Sequence, residues 1–321
     1  MKTKILVGLL ADGRIHSGES LAQQLGISRT AVWKQIRRAI DRGFNIETIR
    51  GKGYRLADTV DLLDGGAIRR RLSERLAQRV SLTVLDKVDS TNAAVMRTEA
   101  SDRTIPVCIA DSQSAGRGRR GRAWQSPAGQ NLYMSLGLEF AGGFSALDGL
   151  SLVFGVALAE ALEKVGLVGV SLKWPNDVFL NGCKLAGILI ELQGELEEGR
   201  VQVVAGIGLN VHMTEAPAVE QAWTSLAKAA PDREWSRNEL AGEIIASVVA
   251  ACDQFGEEGF EAFRQRWQRR DLFANRSLTA GQGEVAGIGR GIDADGSYLV
   301  ERASGAIEAV RAGELSLRVS S

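Results

Sequence analysis

Apolar residues open the chain at helical spacing: Ile5, Leu6, Leu9 and Leu10 form one run, Leu21 and Leu25 a second. Gly26 interrupts the second run, and Ser28 is placed to cap a third helix carrying Val32, Ile36 and Ile40 on one face. Thr30, Trp33, Lys34 and Arg37 fall at i, i+3, i+4 and i+7 of that helix, away from Val32 and Ile36, with Arg38 nearby. Residues 44–49 then alternate as a strand does, Gly51-Lys52-Gly53 can turn, and Tyr54-Arg55-Leu56 can return. The pattern predicts helix, helix, tight glycine turn, helix, then a hairpin or wing.

Past a linker over residues 57–66, the period keeps changing. Residues 82–85, 107–110, 131–138 and 201–211 read as strands, and 146–165 and 237–255 as long helices. This mixture predicts an α+β body rather than the regular alternation of a doubly wound sheet. Asn181-Gly182 is a two-residue hairpin signal between Val178-Phe179-Leu180 and Cys183-Lys184-Leu185. In that register Leu180 faces Cys183, Phe179 faces Lys184, and Lys184 shares a face with Asp177 in a diagonal relation. A cation and a carboxylate held together on a rigid element suit phosphoryl or adenylyl chemistry, and equally an ordinary surface ion pair.

Composition narrows the class. With 321 residues and 45% hydrophobic positions, the chain can build a sizeable core, which excludes disorder as its main state. Apolar stretches such as 153–158 fall far short of the roughly 20 residues that cross a bilayer, and no basic-then-apolar leader is evident, so a cytoplasmic protein without membrane association is expected. Cys108, Cys183 and Cys252 make no Cys-x-x-Cys pair, and His16 and His212 stand far apart, so neither a disulfide framework nor a structural zinc site is expected.

The zero net charge is unevenly spread: residues 1–58 hold 11 Lys+Arg and 5 Asp+Glu, a net of +6, which leaves −6 for the remainder. A basic head on a mildly acidic body suits nucleic-acid binding, and the tight helix-turn-helix followed by a wing favours DNA over a merely solvated basic face. The candidate DNA contacts are Ser28, Arg29, Thr30, Trp33, Lys34, Arg37 and Lys52, with base readers and phosphate contacts left undistinguished.

Four arginines interleave with three glycines in Gly116-Arg117-Gly118-Arg119-Arg120-Gly121-Arg122. The run formally contains G-x-G-x-x-G, yet a dinucleotide loop should open a helix, whereas Ala123-Trp124-Gln125-Ser126-Pro127 leads to the strand-like Asn131-Leu132-Tyr133-Met134. The reading that remains is an anion clamp, in which glycines let backbone N–H groups approach phosphate oxygens and arginines supply forked donors. Mutual repulsion of the arginines predicts a loop that is mobile alone and orders around an anion. Glycines inside the apolar runs Gly187-Ile188-Leu189 and Gly206-Ile207-Gly208-Leu209-Asn210 signal close approach of backbone or ligand, or packing against a helix.

These segments together resemble the bifunctional biotin protein ligases that also repress biotin-synthesis genes. The resemblance rests on Asp89-Ser90-Thr91-Asn92, Gln113, the 116–122 run with Trp124, Lys173-Trp174-Pro175-Asn176-Asp177, Lys184-Leu185-Ala186-Gly187-Ile188-Leu189, the 206–210 run, Gly289-Arg290-Gly291-Ile292-Asp293 and Gly313-Glu314-Leu315-Ser316-Leu317-Arg318, and extends over nearly the whole chain. It implies a winged helix-turn-helix over residues 1–60, a class II synthetase-like ligase domain over 65–270 and a small SH3-like β-barrel over 271–321, where Tyr298-Leu299-Val300 and Leu315-Ser316-Leu317-Arg318 alternate between glycine-rich turns.

The same resemblance implies that biotin and ATP, with Mg²⁺, give biotinyl-5′-AMP, and that biotin then passes to a lysine of the biotin carboxyl carrier protein of acetyl-CoA carboxylase. By likeness, Ser90, Thr91, Asn92, Gln113, Gly116, Arg117, Gly118, Arg119, Arg120, Lys184 and Gly187 serve biotin and its acyl phosphate. Arg119, Arg122, Trp124, Asn176, Lys184, Asn210 and Trp223 serve the nucleotide. Lys184, Arg119 and Arg122 are the candidates for offsetting phosphoryl charge, while Asp177 could assist metal handling, loop positioning or the transfer step. A homodimer formed with adenylate bound would place two heads on a palindromic operator. Two other readings stand beside this one: a DNA-binding biotin sensor without turnover, and a lipoate-type ligase.

Overall fold

The computed structural model describes residues 2–41, 44–57, 61–98, 104–143, 147–197, 199–280, 285–311 and 317–319. Those residues form ten α-helices and fourteen β-strands. The head is α1 (Lys2–Leu10), α2 (Gly18–Leu25), α3 (Arg29–Ile40), β1 (Ile46–Ile49) and β2 (Gly53–Leu56), with Ile46 opposite Leu56 and Ile49 opposite Gly53 in the wing. Gly26 ends α2 at φ 61°, and the Ser28 hydroxyl accepts from the Ala31 N–H at 3.2 Å to start α3. Leu6, Val7, Leu10, Leu21, Val32, Ile36, Ala39, Ile46 and Leu56 make its core. Ile40, expected on the buried face, is 40% exposed. At 100° per residue Ala39 lies about 20° from the direction of Val32 and Ile40 about 80°, so Ala39 takes the inner position.

The body comprises α4 (Gly65–Arg69), α5 (Glu74–Arg79), β3 (Val80–Leu85), α6 (Thr91–Met96), β4 (Ile105–Ala110), β5 (Asn131–Ala141), α7 (Leu150–Lys164), β6 (Val170–Lys173), β7 (Asp177–Leu180), β8 (Cys183–Glu197), β9 (Arg200–Asn210), α8 (Leu226–Ala229), α9 (Arg237–Glu258) and α10 (Glu261–Gln268). Its seven strands run β3-β4-β5-β9-β8-β7-β6; only the β3/β4 pair is parallel, in keeping with the α+β expectation. Alternation along β9 sorts its residues. Val203, Ala205, Ile207 and Leu209 enter the main core with α7 and α9, whereas Val204 joins Val95 of α6 and Cys108 on the opposite face. Gly206 and Gly208 share that second face, and the candidate site is built there.

The linker over 57–66 is not a free tether. Residues 58–60 lie outside the described residues, but Leu62 packs against the head's core while Leu63, 1% exposed, belongs to the core of the body. Two adjacent apolar residues among Asp and Gly thus serve opposite sides, and composition alone hid them.

The C-terminal unit is an antiparallel sheet of β10 (Ser277–Ala280), β11 (Val285–Ile292), β12 (Tyr298–Glu301), β13 (Ile307–Val310) and β14 (Arg318–Val319), ordered β13-β12-β11-β10-β14. Of the motif 313–318, Gly313 to Ser316 lie outside the described residues, Leu317 is buried and Arg318 opens β14. The unit packs directly on the body. Trp174 and Tyr298 rings lie 6.0 Å apart, the Trp174 indole N–H donates to the Gly296 carbonyl at 2.9 Å, and the Tyr298 hydroxyl donates to Asp271 Oδ2 at 2.7 Å.

Candidate active site and DNA-binding face

The arginine-glycine run lies between β4 and β5 as a small hairpin. Arg117 bridges Ala123, the Gly118 N–H donates to the Arg122 carbonyl at 2.7 Å, and the turn is made by Arg120 at φ 56° and Gly121 at φ 72°. Left-handed backbone at two successive positions suits a tight hairpin turn and cannot begin a helix, so the dinucleotide-loop geometry is absent from this segment. The hairpin forms one wall of a cavity of about 860 Å³.

Every residue expected at the biotin and nucleotide sites lines that cavity except Gly116. Gly116 stands behind the wall, where a Cβ would meet Ser126 Oγ at 2.6 Å and the Trp124 carbonyl at 2.7 Å. Its carbonyl accepts from the Trp124 N–H at 2.9 Å, so this glycine seats the tryptophan. The strand glycines have the same use: a Cβ at Gly208 would lie 2.5 Å from the Trp124 ring and one at Gly187 3.1 Å, while Gly206 leaves room for the Asn92 side chain. Gly187 and Gly208 thus make space for the Trp124 ring, while Gly206 does so for Asn92 of helix α6, the packing against a helix that was one of the two expectations.

One end of the cavity is a hydrogen-bonded polar network. The Thr91 N–H donates to Gln113 Oε1 at 2.8 Å, and Gln113 Nε2 donates to Ser126 Oγ at 3.0 Å. Ser135 Oγ stands 2.7 Å from Thr91 Oγ1 and 2.5 Å from Asn92 Oδ1, and Asn92 Nδ2 donates to Glu191 Oε2 at 2.7 Å. Arg117 reaches the same Glu191 oxygen at 3.0 Å. Ser90 caps α6. Ser135 and Glu191 escaped the sequence reading; a lone serine inside the apolar run Met134-Ser135-Leu136 was the available signal.

The other end carries charge. Lys184 Nζ lies 2.7 Å from Asp177 Oδ1, with the two side chains 19% and 26% exposed, so this is a half-buried pair in the cavity wall rather than a surface one. The expected hairpin pairs, Leu180 with Cys183 and Phe179 with Lys184, are present; beyond them a bulge sets Asp177 opposite Gly187. Arg119 Nη1 donates to Asn176 Oδ1 at 2.8 Å, and Asn176 is itself held by mutual bonds with Ile188. Burial, and then the charge of Arg120, lowers the pKa of Arg119 below the ordinary guanidinium value; Asp177 opposes this and Arg122 adds to it. The arginines are thus crowded in a way that an anion would relieve. The buried indole N–H of Trp124 has no acceptor among the described residues, and Lys184 Nζ sits 5.5 Å from its ring centroid. Trp223 is tied in by a bridge to Lys184, and Asn210 Nδ2 donates to the Thr224 carbonyl at 2.9 Å.

On the head, Ser28, Arg29, Thr30, Trp33, Lys34, Arg37 and Lys52 are all exposed. The Arg37 guanidinium lies 5.3 Å from the Trp33 ring centroid, giving one basic aromatic surface on α3. The Ser28 hydroxyl is engaged in capping that helix.

Comparison with known proteins accords with both halves. Residues 84–210 match the biotin/lipoate A/B protein ligase family, and residues 2–55 match an HTH domain. The bifunctional ligase/repressor BirA of Salmonella typhimurium is 41% identical over 317 residues, covering 98% of this chain and 96% of the relative. That of Escherichia coli is 42% identical over the same length and shares. A solved structure of biotin protein ligase from Aquifex aeolicus in complex with biotin and ATP is similar at a TM-score of 0.65 and 31% identity, covering 75% of this chain and 99% of that one. Over nearly its full length, therefore, the chain belongs to the bifunctional ligase/repressors of the biotin/lipoate A/B protein ligase family.

Proposed function

We propose that the 860 Å³ cavity takes biotin at its Thr91–Gln113–Ser135 end and MgATP toward Trp124, Asn210 and Trp223, forms biotinyl-5′-AMP, and then biotinylates one lysine of the carboxyl carrier protein of acetyl-CoA carboxylase. The observation that carries this reading is the convergence of Arg119, Arg122 and Lys184 on one cavity whose far end is a hydrogen-bonding network with its own charges, Arg117 and Glu191, paired to each other. An uncharged, polar ring system suits the end whose charges are already paired, and a carboxylate meeting a phosphate suits the other.

In the first step a biotin carboxylate oxygen bonds to the α-phosphorus, the bond to the β-phosphate oxygen breaks, and pyrophosphate leaves. Lys184, Arg119 and Arg122 offset the charge that builds on the phosphorus oxygens and the leaving group, with Asn176 fixing Arg119 and Asp177 fixing Lys184. In the second step the acceptor amine bonds to the acyl carbon, AMP leaves, and the amine gives up a proton, for which Asp177 is a carboxylate in place. Mg²⁺ would be brought by the nucleotide as MgATP, and no step is derived through a resident metal.

The domains are assigned as 1–60, 65–270 and 271–321. The exposed α3 face and wing bind an operator of the biotin-synthesis genes, two heads at a time, when adenylate-bound copies pair. The ligase/repressor reading assigns the protein to the cytoplasm. The test is pyrophosphate release from MgATP with biotin or lipoate as the sole variable, followed by mass analysis of the retained nucleotide. Biotin-dependent release with biotinyl-AMP retained supports the reading; lipoate-dependent release, or none from folded protein, overturns it in favour of the lipoate ligase or the sensor.

A further inference from the structure

Glu191, on β8, is not among the residues lining the cavity, yet it ends a chain of hydrogen bonds that starts inside it. Its Oε2 accepts from Asn92 Nδ2 at 2.7 Å and from Arg117 Nη2 at 3.0 Å. The Leu189 carbonyl accepts from the same Asn92 amide nitrogen at 3.3 Å. Two acceptors on one side of the amide decide its orientation: Nδ2 faces β8, and Oδ1 faces Ser135 in the space that Gly206 leaves. Thr91, Asn92 and Ser135 are all buried, so a polar group left there without its partner is costly.

The order of protons follows from that orientation. Ser135 has one hydroxyl proton, and Asn92 Oδ1, 2.5 Å away, can only accept, so Ser135 donates to it. The 2.7 Å contact between Ser135 Oγ and Thr91 Oγ1 then takes its proton from Thr91. Thr91 Oγ1, 3.2 Å from Gln113 Oε1, is left with lone pairs alone for an occupant of the cavity. A second chain runs outward in the same sense: Gln113 Nε2 donates to Ser126 Oγ at 3.0 Å, and Ser126 Oγ donates to the Trp124 carbonyl at 3.0 Å. Gln113 Oε1 is thereby turned toward Thr91, whose N–H it accepts at 2.8 Å, with a second lone pair to spare. One chain ends on a carboxylate and the other on a carbonyl, neither with a proton to return, so two acceptors stand side by side on residues that line the cavity.

We propose that Glu191 is a positioning residue that fixes the proton direction of the Asn92–Ser135–Thr91 chain and so makes this end of the cavity select a ring that donates N–H groups. The inference rests on the assignment of biotin to this end. A cyclic urea brings N–H donors; a dithiolane brings none and leaves both acceptors against an apolar surface, which is the kind of mismatch that hydrogen-bonding sites reject most strongly. Glu191 acts without touching the ligand, through buried bonds each of which polarises the next. Arg117 offsets the charge of the carboxylate and has no part in the order of protons.

The experiment uses the full chain and steady-state pyrophosphate release with MgATP, comparing biotin with its two cyclic carbamate analogues, each with one urea N–H replaced by oxygen. An oxygen set against Thr91 Oγ1 is repelled where an N–H is held, so the wild type should favour biotin over at least one carbamate. In Glu191→Met, KM for biotin should rise about tenfold, the preference over that carbamate should fall about tenfold, and kcat and KM for MgATP should stay within about twofold. Glu191→Gln keeps an acceptor for Asn92 while losing the charge opposite Arg117, and should retain the preference. Ser135→Ala cuts the chain in its middle and should lose the preference as Glu191→Met does, with the double variant no worse than the worse single one. A thermal melt reports folding, and Glu191→Gln and Ser135→Ala decide the matter by themselves if Glu191→Met does not fold. No preference in the wild type, an unchanged preference in Glu191→Met or Ser135→Ala, additive losses in the double variant, or a full loss in Glu191→Gln overturns the proposal. Absence of biotin-dependent pyrophosphate release by the wild type instead overturns the ligase reading, and the two failures are read from separate signals.

Discussion

Lys184 and Asp177 form their 2.7 Å pair across a β-bulge, opposite each other's strands and beneath the Trp124 ring. The bulge places Gly187 beside Asp177, and the missing side chain there is what admits the indole. The lysine is consequently fixed in three ways: by the carboxylate, by the ring face and by backbone bonds from Lys184 N–H to the Ala222 carbonyl and from Thr224 N–H to the Lys184 carbonyl. A cation held this firmly needs no reorganisation when phosphoryl charge develops.

Lys184→Ala should therefore lower biotin-dependent pyrophosphate release by on the order of 10²–10³, the usual cost of losing one preorganised charge-stabilising donor. Asp177 is partly solvated and tolerates the loss of its partner, so the melting temperature should change little. Rapid-quench measurement of adenylate formation beside a thermal melt checks this; wild-type rates in the variant would remove Lys184 from the chemistry.

Arg119→Ala should also slow adenylate formation, and Asn176→Ala should do so more weakly, since Asn176 acts through the 2.8 Å bond that aims the guanidinium. In the double variant the Asn176 change should add nothing further. Additive losses would mean that Asn176 has its own contact with the nucleotide.

Gly208→Ala sets a methyl where the Trp124 ring now lies, 2.5 Å from it. The indole must move, at a cost of about 1–3 kcal/mol in stability, typical of overpacking. Trp fluorescence should shift, and KM for MgATP should rise. A variant with unaltered fluorescence and kinetics would show that the cavity wall yields more easily than its packing implies.

Much of this site was legible locally. Ser28 as a cap, the hairpin at Asn181-Gly182 and the failure of the run 116–122 to open a helix are statements about residues within a few positions of one another, where turn chemistry and spacing decide the outcome. The long-range partners were not legible. Ser135 meets Thr91 and Asn92 across 44 and 43 positions, and Arg237 reaches Asp61 across 176, so only the fold brings them together. The resemblance supplied Asn210 and Trp223, which spacing alone would have left as a strand end and a buried ring.

Arg37→Ala removes the guanidinium that lies over Trp33 on the exposed face of α3. Affinity for DNA from upstream of the biotin-synthesis genes should fall by on the order of tenfold, as for loss of one groove or phosphate contact. Pyrophosphate release should be unchanged, because no residue of α3 lines the cavity. Gel-shift titration at fixed salt, paired with the release assay, checks the division; equal loss of both activities would contradict it.

Asp271 gives the body and the C-terminal unit a shared titrating joint. Burial raises its pKa above the ordinary 3.8, against the lowering effects of the Tyr298 hydroxyl and the Phe273 N–H, both of which donate to its carboxylate. A folded-state pKa above the unfolded one makes the group's contribution to stability fullest below pH 3.8, and that contribution is lost as pH rises through the raised folded value. Asp271→Asn does not titrate and keeps an acceptor for the Phe273 N–H. The melting temperature of the variant relative to the wild type should therefore climb as pH is raised from about 4 toward 7, levelling once the wild-type carboxylate is fully ionised. A difference that stays constant over that range would show that the carboxyl titrates alike in the folded and unfolded chains, and that the Tyr298 and Phe273 bonds fully offset its burial.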